Sequence, residues 1–131
     1  MMETRPSEAP ARAPGASPKP RVLIADDNRG LAEIWSFVLE DAGCHVRVAD
    51  SGRGALAAAE AESFDLAVLD LQMPDLSGLE VFAGLREADP DIEGIIITGY
   101  ASTASAIEAV NCGVYGYLVK PVAPEALCLL A

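Results

Sequence analysis

Leu66-Ala67-Val68-Leu69-Asp70 is a short apolar run closed by a carboxylate. Runs of this kind suit a strand buried on both faces of a parallel sheet. Others follow the same plan: Val22-Leu23-Ile24-Ala25 leads into Asp26-Asp27, Ile95-Ile96-Ile97 into Thr98, and Tyr117-Leu118-Val119 into Lys120. If these runs are neighbouring parallel strands, their polar ends emerge along one edge of one sheet. Ligands of open α/β sheets bind at that edge, outside the carboxyl ends of the strands. Three carboxylates, a hydroxyl and an amine would then share one crevice, a set suited to a divalent cation and a phosphoryl group.

The segments between these runs read as helices, so the chain alternates strand and helix. Asn28 can cap a helix with Leu31, Ile34, Trp35, Val38, Leu39 and Ala42 as its apolar stripe, stopped by Gly43. Trp35 falls within that stripe and is expected in the core. Strand two is Val46 to Ala49, with His45 at its start as a plain surface residue. Helix two spans Gly52 to Glu62 behind a Ser51 cap. Helix three spans Gly78 to Ala88, and Pro90 punctuates the turn after it. Strand four is Gly94 to Thr98, helix four runs from Ser102 to Cys112 with Ala106, Ile107 and Val110 as its apolar side, and strand five is Val114 to Val119. Pro124 opens a last helix to Ala131. Its apolar end lacks a polar stop, which predicts that the chain continues into a longer protein.

Residues 1–20 carry five prolines and no apolar periodicity, so a disordered leader is expected ahead of a single domain over 21–131. Arg5, Arg12 and Lys19 against Glu3 and Glu8 give that leader +1, which leaves −12 for the rest of a chain whose total is −11. Such acidity argues against nucleic-acid binding by this segment, because phosphate neutralisation needs clustered Lys and Arg. No run reaches the ~20 apolar residues of a membrane span, and no secretory signal opens the chain. A cytoplasmic protein without membrane contact is expected. Cys44, Cys112 and Cys128 have no metal-type spacing and read as small, at least half-buried residues.

Adjacent acids such as Asp26-Asp27 can be simple turn formers. Asp70 changes that assessment. In a sheet of order 2-1-3-4-5 the ends of strands one and three lie side by side at the switch point, and three carboxylates that close repel one another. A hard divalent ion resolves the conflict: Mg²⁺ takes one or two carboxylates, several waters and phosphate oxygens. Lys120 as a point charge and the Thr98 hydroxyl can hold further phosphoryl oxygens. Phosphoryl transfer is mostly positioning and charge neutralisation, and the nucleophile here would be a carboxylate.

Together, Asp26-Asp27, the stretch from Leu69-Asp70-Leu71-Gln72-Met73-Pro74 through Asp75-Leu76-Ser77-Gly78, Thr98-Gly99, and Tyr117-Leu118-Val119-Lys120-Pro121 resemble the receiver domain of bacterial two-component response regulators. The nearest types are nitrogen-regulation receivers and those linked to histidine kinases. The resemblance covers residues 21 to about 130 and implies a flavodoxin-like, doubly wound sheet of five parallel strands, order 2-1-3-4-5, with five helices. It further implies that Asp70 accepts a phosphoryl group from a sensor histidine kinase or histidine phosphotransfer protein. Asp26, Asp27, Asp70 and the Gln72 backbone carbonyl would hold Mg²⁺, for which Mn²⁺ can substitute. Thr98 and Lys120 would clamp the phosphoryl group, Tyr117 would turn inward with Thr98, and the Lys120-Pro121 bond would be cis. Phosphorylation would then bias the face of helix four, strand five and helix five, through which a homodimer is one arrangement the family allows.

Some positions depart from the family. Gly99 stands where alanine is usual, Gln72 and Tyr100 occupy positions that tune phosphoryl lifetime, and the acid and arginine set of winged-helix regulators is missing between Thr98 and Lys120. A phosphatase of the haloacid dehalogenase type would need an acid where Gln72 stands. A nucleotide-binding module would need a G-x-G-x-x-G or Walker lysine after the first strand. The expected module is therefore a switch with self-catalysed phosphotransfer and dephosphorylation, not an enzyme with a separate turnover substrate.

Overall fold

In the computed structural model, which describes residues 19–120 and Val122, strands and helices alternate along the chain. They are β1 (Arg21–Ala25), α1 (Arg29–Asp41), β2 (His45–Ala49), α2 (Gly52–Ala61), β3 (Leu66–Asp70), α3 (Gly78–Ala88), β4 (Glu93–Thr98), α4 (Thr103–Cys112) and β5 (Gly116–Val119). The strands form one parallel sheet in the order β2-β1-β3-β4-β5, the flavodoxin-like order expected. The helix expected over Pro124 to Ala131 lies outside the described residues. So do the Lys120-Pro121 bond, Cys128 and residues 1–18 of the expected leader.

Side chains alternate across a strand, so each apolar run feeds two cores. Val22, Ile24, Leu66, Val68, Ile95 and Ile97 face Ala32, Trp35 and Leu39 of α1. Leu23, Ala25, Ala67, Leu69 and Ile96 face α2, α3 and Ala109 of α4. Both faces of the central strands are covered, which is why those runs show no polar alternation. Each helix is launched by a side-chain cap: Asn28 Oδ1 accepts from Leu31 N at 3.1 Å, Ser51 Oγ from Gly54 N at 2.9 Å, and Ser77 Oγ from Glu80 N at 3.1 Å. After α1 the chain turns at Gly43 with φ of +103°, a region that glycine enters without strain.

Several expectations need correction. In α1, Ile34 is 54% exposed and Ala42 is exposed, while Ala32 takes the buried place. The helix rests on the sheet along a narrower strip than its apolar residues cover. In α4, Ile107 and Val110 point outward and the small Ala109 faces the core, because α4 packs beside α3 near the sheet edge. Ladder pairing, not hydropathy, sets the strand starts. Arg21 pairs with His45 and Leu66 with Glu93, and His45 N donates to Pro20 O at 2.8 Å, so the ladder begins within the expected leader. β5 starts only at Gly116, since the left-handed turn at Gly113 keeps Val114 out of the ladder.

α2 ends at Ala61, one residue early, because Glu62 is extended and its carboxylate serves as a hub. It pairs with Arg21, accepts from Arg47 Nη1 at 2.7 Å and lies 3.5 Å from His45 Nε2. His45 is thus on the surface as expected, with the Glu62 carboxylate beside it. Burial raises the Glu62 carboxyl, yet the Arg47 hydrogen bond and the neighbouring cations outweigh it and hold the group below its ordinary range. Cys44 and Cys112 are both half-buried.

Gly78 begins α3 directly beneath β3, with its N–H bonded to Leu71 O at 2.9 Å. A Cβ at this position would sit 2.6 Å from the Asp70 carbonyl oxygen, which is backbone and cannot step aside. At Gly84, mid-helix, the added atom would meet only the flexible end of Leu56 at 2.9 Å. Gly78→Ala is therefore expected to cost about 1–3 kcal/mol by overpacking. Gly84→Ala should be neutral or stabilising by up to about 1 kcal/mol through helix propensity. Urea denaturation midpoints compare the two; equal effects would contradict the close approach at Gly78.

Candidate functional site

Strand register assembles the site. Ala25 pairs with Leu69, Asp70 with Ile97 and Thr98 with Val119, so Asp26, Asp70, Thr98 and Lys120 all lie at the carboxyl ends of adjacent strands. Lys120 N donates to Thr98 O at 2.7 Å and Leu71 N to Ile97 O at 2.8 Å, which carries the ladder to the rim. Asp26, Asp70 and Thr98 are the buried polar residues among those described, and Asp27 beside them is exposed.

One local device recurs at three strand ends. Asp26 Oδ1 accepts from Asn28 N at 2.8 Å, Asp70 Oδ1 from Gln72 N at 3.2 Å, and Thr98 Oγ1 from Tyr100 N at 3.0 Å. Short polar side chains favour this bond to the backbone two residues on. It turns the chain off the sheet and pins one oxygen of each carboxylate. The second oxygens converge on Lys120, whose Nζ lies 3.3 Å from Asp26 Oδ2 and 3.5 Å from Asp70 Oδ2. The Thr98 hydroxyl proton stays available as a donor.

The cluster is short of positive charge. Oxygens of Asp26, Asp27 and Asp70 lie within 4.8 Å of one another, and three carboxylates against one ammonium leave two negative charges. Asp26 Oδ2 is buried without a hydrogen bond, because Lys120 is close but not aligned to donate to it. The Asp70 carboxyl is pushed up to about 6, first by burial and then by the Asp26 charge, against the pull of the Gln72 N–H and Lys120. An orphaned buried oxygen, two unmatched charges and an all-oxygen donor set fit a hard divalent cation such as Mg²⁺.

Of the other expected residues, Gln72 holds Asp70 through its N–H. Tyr117 is half-buried, and its hydroxyl lies 2.6 Å from Ser105 Oγ on α4. Two contributors escaped the sequence reading. Ser105 carried no motif. Asp75 stands in the loop ahead of helix three, yet it caps α2 from outside, accepting from Gly52 N at 3.0 Å, Arg53 N at 2.8 Å and its neighbour Leu76 N at 2.9 Å. Those bonds, Arg53 foremost, hold the Asp75 carboxyl below its usual range.

Asp70 ties the site to stability. Its carboxyl is raised from 3.8 to about 6, so between those values the folded chain binds more protons than the unfolded one. Stability from this group is present at about pH 4, falls as pH rises through the window, and is level above it. At neutral pH and without divalent cation, Asp70→Asn should stabilise the chain by roughly 1–3 kcal/mol, a gain that fades toward pH 4. Urea titrations at several pH values check this; a destabilised Asn variant at pH 7 would contradict it.

Residues 22–131 match the response regulator receiver domain family. The alginate biosynthesis transcriptional regulatory protein AlgB of Pseudomonas aeruginosa is 35% identical over 111 residues, which is 85% of this chain and 25% of that protein. The chain thus spans about a quarter of the length of such relatives. A CheY-like receiver domain from Methanospirillum hungatei superposes with a TM-score of 0.82 at 33% identity, covering 86% of this chain and 90% of that one. A Burkholderia pseudomallei response regulator with a phosphorylated aspartic acid, calcium ion and citrate gives a TM-score of 0.80 at 37% identity, over 86% of this chain and 66% of that one. Receiver domains of this family bind Mg²⁺ at an acidic aspartate cluster, and Asp26, Asp27 and Asp70 form a candidate site of that kind here. By fold, by strand-end chemistry and by sequence, the chain belongs to the response regulator receiver domain family.

Proposed function

We propose that Asp70 accepts a phosphoryl group from a phosphohistidine on a sensor histidine kinase or histidine phosphotransfer protein, and that this charge switches an output. An Asp70 carboxylate oxygen attacks phosphorus in line, the phosphorus–nitrogen bond breaks, and the departing imidazole takes a proton. Support comes above all from one observation: Asp26, Asp27 and Asp70 lie within ligand distance of one another, with Lys120 Nζ against two of them. Asp26, Asp27, Asp70 and the Gln72 backbone carbonyl would hold Mg²⁺ or Mn²⁺. When bound, the ion neutralises charge on the phosphoryl oxygens.

Lys120 exchanges its ion pair with Asp70 for a phosphoryl oxygen, and the Thr98 hydroxyl donates to another. Thr98 and Tyr117 then move together and alter the face of α4 and β5. Water returns the carboxylate by attack at phosphorus, so the module times a signal without a separate turnover substrate. The neighbour from Burkholderia with its phosphorylated aspartate supports the same chemistry. Relatives named as transcriptional regulators support an output that acts in the cytoplasm, with this acidic segment itself touching neither nucleic acid nor membrane. Among the described residues no helix is long and apolar enough to cross a membrane.

Incubation with Mg²⁺ and acetyl phosphate should add one phosphoryl group, read by intact mass. Asp70→Asn should abolish it, and Lys120→Ala should slow it by about 100-fold or more, as loss of a preorganised electrostatic contact does. Chelation of divalent cation should stop the transfer. Undiminished modification of the Asn variant would overturn the assignment of Asp70.

A further inference from the structure

The contact between Tyr117 and Ser105 lies outside the acidic crevice, and its hydrogen bonds can be counted. Ser105 Oγ has Ser102 N at 3.3 Å, Ser102 O at 3.2 Å, Ser102 Oγ at 3.1 Å and Tyr117 Oη at 2.6 Å as neighbours. A hydroxyl offers one proton and two lone pairs. The Ser102 carbonyl can only accept and the Ser102 N–H can only donate, so four neighbours share three hydrogen-bonding positions. The contact with Tyr117, at 2.6 Å, is shorter than any of the three to Ser102. Either hydroxyl can be its donor, and Ser105 is also half of the box that caps α4, with Ser105 N bonded to Ser102 Oγ at 3.1 Å.

We propose that Ser105 is a positioning residue that latches the Tyr117 ring to the first turn of α4 and so opposes phosphorylation of Asp70. The inference rests on the reading of Thr98 and Tyr117 as a pair that moves together. While Tyr117 is bonded to Ser105, the first turn of α4 is tied to β5. When the ring leaves, Ser105 loses its shortest partner and that turn keeps only the bonds within its own cap. The exchange links the phosphoryl site to the helix that carries the outward-facing Ile107 and Val110. A ligand shifts such an equilibrium only through its differential affinity for the two states, and the latch supplies the difference on one side.

Beryllium fluoride with Mg²⁺, titrated by calorimetry, probes the coupling. Ser105→Ala and Tyr117→Phe should each tighten its binding about 2- to 10-fold, the range of one neutral hydrogen bond. Their combination should add nothing further, because both remove one interaction. Ser105→Thr, which keeps the hydroxyl, should restore the parent affinity. A cap without latch function would lower the thermal midpoint of the Ala variant and leave the affinity where it was, which would overturn the proposal.

Amide exchange on the metal-free chain judges the contact independently of the phosphoryl chemistry. Ser105 to Ile107 should exchange faster in both single variants, and fastest in Ser105→Ala, which also removes half of the α4 cap. Unchanged exchange in Tyr117→Phe would overturn the latch even where beryllium fluoride binds. Failure of the parent chain to bind it would overturn the phospho-acceptor role instead, with the exchange result still deciding for or against the latch.

Discussion

Repulsion between Asp26 and Asp70 is the constraint around which the rest of this structure is arranged. The pairing of Ala25 with Leu69 brings the two carboxylates together whatever their charges prefer. Both strands are buried on two faces, so neither can slide or twist to relieve the contact. The cost is visible in the raised Asp70 carboxyl and in the buried Asp26 oxygen without a hydrogen bond. A core that buries Trp35 and the isoleucines of β4 can absorb such a penalty. Strain of this kind, held by packing elsewhere, is what a cation and a phosphoryl group can relieve.

Much of this was legible in the sequence because the signals were local. An apolar run that stops at Asp70 marks both a strand and the residue at its rim, and the same holds for Asp26, Thr98 and Lys120. Caps such as Asn28 and Ser51 were legible for the same reason: their partners sit within one turn. The outward turn of Ile34, Ile107 and Val110 was not, since helix composition is silent on how wide a strip of sheet the helix covers. Nor were Asp75, Glu62 and Ser105. Asp75 meets the start of α2 across 23 residues of sequence, Glu62 meets Arg21 across 41, and Ser105 meets Tyr117 across 12. Polar partners at such separations follow no period, so they emerge only when the topology is known.

The repeated side-chain turn at Asp26, Asp70 and Thr98 gives the site precision without rigid loops. By fixing one oxygen of each carboxylate to backbone two residues on, it decides which oxygen faces Lys120. At Asp70 the bond from the Gln72 N–H favours the charged form and partly offsets burial. Such supporting contacts hold reacting groups to within fractions of an ångström. Asp26 is thereby presented with one oxygen satisfied and one buried without a hydrogen bond.

Stiffness is also unevenly shared between the loops at this rim, and the inequality has a direction. The loop after β3 is tied at both ends: Asp75 bonds to the start of α2, and Gly78 N bonds to Leu71 O beneath a contact too close for a side chain. Between β4 and α4, Gly99-Tyr100-Ala101 is held, among the described residues, by the Tyr100 N–H bond to Thr98 Oγ1, and Tyr100 is 75% exposed. A charge placed on Asp70 meets a stiff loop on its own strand and a loose one next door. Local opening follows the segment with fewer buried contacts and fewer bonds. Rearrangement provoked at Asp70 should therefore travel through Thr98 into α4 and leave the β3–α3 loop in place, which would put the proposed phospho-acceptor and the moving part on neighbouring strands.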